Sequence, residues 1–331
     1  MISMKNILEK LIAKEYLTAS EAEKSLIEIT EGKHDDILIS SFLTIFMMRS
    51  VSIDELNGFR NALLNLCVKI DLSDYNTIDL CGTGGDEKNT FNISTLSSFV
   101  TAGSGIKVAK HGNYGVSSNC GSSNVLEFLG INFSNDESFL KSCIDKAGIC
   151  FLHAPLFHPA MKNVASVRKN LGVKTFFNIL GPLVNPVNPK NQLTGVYNLG
   201  TARLYGYLFQ KTNKNYTITY SLDGYDEISL TGPTKLIRNS GEFIFEPHHF
   251  GYNSVTKDSI SGGNSVKESA FIFKSILEGN GSEEQNNVVC ANAAMAISTS
   301  KKLNIDESIK IAEDSLHNKK ALKSFEKLVK I

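Results

Sequence analysis

The 331-residue chain reads as an α/β protein, a small all-helical N-terminal domain plus a larger, mostly parallel sheet domain flanked by helices. Two observations predict this. Over residues 7–70 the apolar side chains recur at helical spacing, and after Asp74 short β-rich runs alternate with helical stretches. Such alternation marks a parallel sheet whose faces are covered by helices. Hydrophobic residues make up 42% of the chain, ample for a core at this length.

The elements follow in order. Ile7, Leu8, Leu11 and Ile12, then Leu26 and Ile29, then Ile37, Phe42, Ile45 and Phe46, then Leu56, Phe59, Leu63 and Leu66 predict four helices. Thr18 or Ser20 precedes Glu21-Ala22-Glu23, and Ser52 stands three residues before Glu55, both signals of a helix start. Strands are predicted at 78–81, 106–109, 149–153, 193–197 and 216–220, and helices between them at 96–102, 125–129, 139–146 and 201–211. Thr234 to Arg238 and Glu242 to Phe245 form a hairpin across Asn239-Ser240-Gly241, and three helical segments finish the chain. The domains are expected at 1–73, joined in space by part of 159–190, and at 74–331.

Composition excludes some functions. Lys+Arg and Asp+Glu both number 34, so no global field draws the chain to nucleic acid or an anionic membrane, and any anion site must be local. Cys67, Cys81, Cys120, Cys143, Cys150 and Cys290 show no metal-ligand rhythm and read as reduced thiols of a cytoplasmic protein. The most hydrophobic stretch, 39–48, is too short to span a bilayer, and residues 1–5 lead into an amphipathic pattern rather than a signal peptide.

Five segments carry chemistry. The run 77–81 stops in Gly82-Thr83-Gly84-Gly85-Asp86, a loop that brings bare N–H groups to a ligand, and Asn92-Ile93-Ser94-Thr95 opens the next helix, where the dipole favours an anion. Neither G-x-G-x-x-G nor a P-loop is matched, and a plain βα turn fits the loop equally well. Lys110-His111-Gly112-Asn113 ends the strand predicted at 106–109, on the same sheet edge as the Gly82 loop. Residues 116–124 form a hydroxyl-rich loop opening a helix, with N-capping by Ser123 or Asn124 as the plain reading. His158, Met161, Ala165 and Arg168 lie three or four apart, on one helical face, and the arginine fork matches a carboxylate. Finally, Asp226-Glu227 at a strand end present carboxylates to different sides, suited to hard cations on a phosphorylated substrate; an acidic turn without metal is the alternative.

Together and in this order the motifs GTGGD, NIST, KHGN, GSSNVLEFLG, HPAM with RKNLGVKTFFNILGPLVNP, and DEIS resemble the anthranilate phosphoribosyltransferase family, from the first helices to about Ile297. The resemblance implies a nucleoside phosphorylase-like (class IV phosphoribosyltransferase) fold. It also implies transfer of the phosphoribosyl group of 5-phosphoribosyl-1-pyrophosphate (PRPP) to the amine of anthranilate, with release of pyrophosphate, in tryptophan biosynthesis. It assigns Gly82, Thr83, Gly84, Gly85, Asp86, Thr90, Asn92, Ser94, Thr95, Lys110 and Ser122 to PRPP. Gly82, His111, Asn113, His158, Arg168, Gly181 and Pro182 fall to anthranilate, and Ser94, Asp226 and Glu227 to Mg²⁺, two ions being expected with PRPP. No general acid or base is assigned, because a neutral aniline-type nitrogen is already a nucleophile.

The resemblance further implies a homodimer joined through the helical domain; association with anthranilate synthase is left open. Tyr114 stands where the family commonly has Arg, and Asn124 where it commonly has Asp. Two other readings compete, a pyrimidine nucleoside phosphorylase and a non-catalytic nucleic-acid-binding relative of the same fold. KHGN and the 168–186 motif speak against the first; balanced charge and the acidic pair speak against the second.

Overall fold

The computed structural model describes residues 3–115 and 120–331. In chain order its helices and strands are α1 (Met4–Ile12), α2 (Ala19–Thr30), α3 (Asp36–Met48), α4 (Ile53–Leu66), β1 (Ile78–Leu80), α5 (Ile93–Gly103), β2 (Val108–Gly112), α6 (Ser122–Phe128), α7 (Glu137–Ala147) and β3 (Ile149–His153). Then come α8 (Ala154–Phe157), α9 (Lys162–Leu171), β4 (Asn191–Gly195), α10 (Leu199–Gln210), β5 (Asn215–Ser221), β6 (Thr234–Arg238), β7 (Gly241–Phe245), α11 (Val266–Leu277), α12 (Glu283–Lys301), α13 (Ile305–His317) and α14 (Lys320–Val329). The chain forms two compact units, Met1–Lys69 with Pro155–Pro186, and Ile70–Ala154 with Val187–Ile331.

In the helical unit, α2 and α4 start as the spacing predicts: Thr18 and Ser52 accept from the backbone N–H three residues on, while Glu21 and Glu55 reach back to close capping boxes. The two helices cross at Gly58, where an added Cβ would stand 2.3 Å from the Ala19 carbonyl oxygen. Phe42, Phe46, Phe59 and Phe176 interlock behind this crossing, Phe59 stacked on Phe176 at 4.2 Å. Glu55 is fully buried among these helices and holds Arg49 at 2.6 Å.

The second unit is built on a seven-stranded sheet of order β3-β2-β1-β4-β5-β6-β7. β3, β2, β1, β4 and β5 run parallel, and β6 and β7 add an antiparallel hairpin at one edge, so the fold class is the one the sequence predicts. Helix α12, buried from Val288 to Thr299, runs beneath the sheet's middle strands. Pairing is uneven at the centre. β1 matches β4 at three Cα positions but β2 at only one, Ile78↔Val108.

Several sequence expectations shift. β2 extends through Lys110 and His111, which pair with Phe151 and Leu152 of β3 and lie inside the strand rather than beyond its end. Their polarity hid the far half of the strand predicted at 106–109. Four helices close the chain instead of three, because the turn between α13 and α14 is two residues with Lys319 at φ +57°, and no glycine or proline marks it. His158 is not on the helix that carries Arg168: a residue before proline is driven out of helical geometry, and His158 sits at φ −120°, ahead of a short 3₁₀ turn at Pro159–Met161. No helix among the described residues is long and apolar enough to cross a membrane.

Candidate active site

Beyond Leu80 the chain enters the glycine-rich loop, sewn to β4 by Cys81 N–H to the Leu193 carbonyl (3.1 Å) and Thr83 N–H to the Gly195 carbonyl (2.9 Å). Gly84 and Gly85 take φ of +63° and +78°, a conformation that disfavours any side chain. This lets the Gly84 N–H donate to Asp226 Oδ2 at 2.6 Å. A Cβ at Gly82 would stand 2.4 Å from the same oxygen, and one at Gly195 would run into the Asp226 carbonyl at 1.5 Å. The glycines therefore admit Asp226. The Thr83 hydroxyl in this loop is buried and finds no partner among the described residues.

Asp226 and Glu227 lie in the turn after β5, which ends at Ser221, and not at the strand end as the sequence predicts. That turn is tied by Ser221, whose N–H donates to the Tyr225 carbonyl and whose hydroxyl donates to the Glu227 carbonyl at 2.6 Å. The two carboxyl groups diverge, Asp226 towards Gly84 and Glu227 towards the Ser94 hydroxyl and the Lys110 ammonium. Burial, then repulsion from Asp86, pushes the Asp226 carboxyl well above its ordinary range; burial, then repulsion from Asp226, does the same to Glu227. Burial also raises Asp86. The neighbourhood thus disfavours the ionised form of all three carboxyls.

Among the described residues no three His, Cys, Asp or Glu side chains converge as a metal cage. A hard cation completed by phosphate oxygens and water needs only one or two protein carboxylates, so the divergent pair and the Ser94 hydroxyl fit Mg²⁺ as a donor set.

Ser94 and the buried Thr95 occupy the first turn of α5, and Asn92 precedes it. The Asn92 side-chain amide donates to the Cys120 carbonyl (3.2 Å) rather than capping its own helix. Lys110 is 2% exposed; its ammonium donates to the Leu80 carbonyl and lies 3.4 Å from Ser94 Oγ. The His111 N–H donates to Asp79 Oδ1 at 3.0 Å. Beyond the register pair Ile78↔Val108, the Asp79 and Lys110 side chains add links between β1 and β2.

Asn113 is exposed beyond β2, its carbonyl accepting from Ser122 Oγ and the Ser123 N–H. Helix α6 is capped by Gly121, not by Ser123 or Asn124; Asn124 Oδ1 instead accepts from the N–H groups of Gly115 and Gly121, both at 3.0 Å. That is the use this chain makes of Asn124. Tyr114 packs edge-on against His153 at 4.8 Å, with its hydroxyl beside Glu127. Thr90 forms an isolated bridge with Ser261. The middle of the hydroxyl-rich loop, residues 116–119, lies outside the described residues.

In the helical unit, Arg168 is half-buried with its guanidinium 5.0 Å over the Phe177 ring, and no carboxylate of the described residues pairs with it. It differs from a solvated surface arginine. His158 is buried, its Nε2–H donating to the Val184 carbonyl at 3.0 Å, and burial pushes its imidazole down to about 4. It is a neutral support for the turn at Gly181–Leu183, which contains Gly181 and Pro182.

The structure therefore gathers the Gly82–Asp86 loop, Ser94, Lys110, Asp226 and Glu227 into one neighbourhood of the sheet unit, and sets Arg168, His158, Gly181 and Pro182 in the helical unit. Sequence reasoning gave no role to Asp79, Gly195 or Asn292. Only Asn292 left a trace, as an amide inside the run Cys290-Ala291-Asn292-Ala293-Ala294.

Comparison with known proteins fits this arrangement. A glycosyl transferase family accounts for nearly the whole chain, its helical bundle domain matching residues 5–67 and its a/b domain residues 74–322, so the chain is an enzyme of the glycosyltransferase class. It is 63% identical over 325 residues to an anthranilate phosphoribosyltransferase of Flavobacterium johnsoniae, with 98% of each chain covered. The Saccharomyces cerevisiae enzyme in complex with PRPP and Mg superposes with a TM-score of 0.91 at 28% identity, covering 99% of this chain and 97% of that one. The same yeast enzyme with 4-fluoroanthranilate gives a TM-score of 0.88 at 27% identity, covering 99% and 96%. The chain belongs to the anthranilate phosphoribosyltransferase family, enzymes of tryptophan biosynthesis.

Proposed function

We propose that the Gly82–Asp86 loop, Ser94, Lys110, Asp226 and Glu227 form the PRPP end of the active site, with the acidic pair and Ser94 holding Mg²⁺. The observation that carries this reading is the acidic cluster pressed against a glycine loop, with the Gly84 N–H on Asp226: burial raises Asp86, Asp226 and Glu227, and repulsion from a neighbouring acid adds to it at Asp226 and Glu227, a state that a cation would relieve. Bound there, Mg²⁺ would neutralise and orient the leaving pyrophosphate. Support also comes from the PRPP and Mg of the yeast relative.

The chain's own residues would work by positioning and charge. Displacement at the sugar C1 builds positive character on the ribose while pyrophosphate gains negative charge, so oriented N–H groups of the loop and of the α5 N-terminus would stabilise the leaving group as it departs. Thr90, Asn92, Thr95 and Ser122 complete the PRPP set. For anthranilate we propose Gly82, His111, Asn113, His158, Arg168, Gly181 and Pro182, the set that the family resemblance implies. Arg168 is the carboxylate-recognising fork, and its lack of a carboxylate partner among the described residues supports that role. His158, neutral and bonded to Val184, would act through the shape of the Gly181–Leu183 turn.

The units are proposed as a helical domain and a phosphoribosyltransferase domain of one cytoplasmic homodimer. Ile12 on α1 and Ile37 and Met48 on α3, each at least 70% exposed, support pairing of two copies through the helical unit. The test is direct: anthranilate fluorescence should fall when the protein is mixed with anthranilate, PRPP and Mg²⁺. Steady fluorescence with intact PRPP would refute the residue assignments as a working site.

A further inference from the structure

Asn292 bonds to the backbone of the residue that follows the acidic pair. Its Oδ1 accepts from the Ile228 N–H at 3.0 Å, and its Nδ2 donates to the Ile228 carbonyl at 2.8 Å and to the Val288 carbonyl at 2.8 Å. Asn292 is 2% exposed and Ile228 fully buried. Among the described residues no strand pairs with the Asp226–Ile228 turn, and one side chain of α12 serves both Ile228 backbone groups, as a sheet neighbour would. A Val, Leu or Ala at 292 would leave a buried donor and acceptor unmet.

We infer that Asn292 is a positioning residue for the acidic pair: anchored on a buried helix, it fixes the Ile228 backbone and so holds Asp226 against Gly84 and Glu227 against Ser94 before any cation arrives. The turn is held from more than one side. On one side the Ser221 hydroxyl ties the Glu227 carbonyl, and Gly82 and Gly195 leave no space for a shifted Asp226. Asn292 closes the other side. Outer partners of this kind set metal affinity without touching the metal, and their loss weakens it by roughly 10–100-fold.

The inference rests on the reading of Asp226 and Glu227 as cation ligands, and the test separates the two. Asn292→Ser removes most of the clamp; Asn292→Asp keeps the shape and the acceptor but loses the amide donors. In both, the Mg²⁺ concentration for half-maximal activity should rise by roughly 10–100-fold, the KM for anthranilate should stay within about twofold, and the Ile228 amide should exchange faster in the metal-free protein. A folded variant with an unchanged Mg²⁺ requirement, or an equal rise in the anthranilate KM, overturns the inference. Glu227→Gln is assayed alongside. If it shifts the Mg²⁺ requirement and the Asn292 variants do not, only the clamp falls; if none shifts it, the ligand assignment falls too. Should neither variant fold, the unmodified protein decides: slow exchange at Ile228 without Mg²⁺ and PRPP supports a preformed clamp, and exchange that slows only on their addition refutes it.

Discussion

Glu55 in the helical unit and the Asp226–Glu227 pair in the sheet unit are all acids shielded from water, yet their surroundings act in opposite directions. Burial alone would raise Glu55, but two bonds from Arg49 and the N–H groups of Leu17 and Ser52 outweigh it and leave the carboxyl below its ordinary range. Around Asp226 and Glu227, burial is joined by repulsion from other acids, and at Glu227 the opposing pull of Lys110 does not offset it. A satisfied buried charge belongs to the fold. A buried charge left in excess belongs to a ligand that the chain does not itself supply.

The contrast can be broken first at Glu55. Glu55→Gln leaves the Arg49 guanidinium without its counter-charge and should cost about 3–5 kcal/mol of stability, read from the denaturation midpoint, with kcat/KM unchanged in the folded enzyme. Glu227→Gln should do the reverse. At fixed Mg²⁺ its kcat/KM should fall about 100-fold, about 2.7 kcal/mol, recovering as Mg²⁺ is raised, while the denaturation midpoint of the metal-free protein holds or rises because a repelling charge is gone. Loss of activity that excess Mg²⁺ does not restore would count against the metal assignment.

Arg168→Ala probes a cation in place of an anion. Removing a charge-assisted bond worth about 1.5–3 kcal/mol should raise the KM for anthranilate roughly tenfold or more, with the KM for PRPP little changed; an unmoved anthranilate KM would take Arg168 out of the site. His158 gives the smallest effect. Its imidazole titrates near 6.5 when unfolded and near 4 when folded, so between those values the unfolded chain binds the extra proton. Stability then falls with acid by up to about 1.4 kcal/mol per pH unit, and His158→Gln should flatten that slope in denaturation curves between pH 7 and 5.

Much of this was legible before the fold was seen, where one local signal decides the outcome. Thr18 with Glu21 and Ser52 with Glu55 write their helix starts in four residues, and the GTGGD loop with its later acidic partner survives translation into space. What escaped depends on neighbours remote in sequence. Lys110 and His111 read as a polar loop because nothing local reveals that their polar groups face Leu80 and Asp79 of β1. Asn292 lies 64 residues from the turn it clamps. The bond from the Gly115 N–H to Asn124 was hidden for the same reason, since it ties a residue nine positions back to the start of α6.

The side-chain links between β1 and β2 carry a further consequence. Hydrogen bonds in an ordinary ladder come from the main chain, so most substitutions leave the pairing of strands untouched. Where Asp79 receives the His111 N–H and Lys110 engages the Leu80 carbonyl, the rungs are side chains, and secondary structure itself becomes heritable at two codons. A point mutation at either position can change which backbone groups meet, and at Asp79 it does so without altering any residue assigned to a substrate.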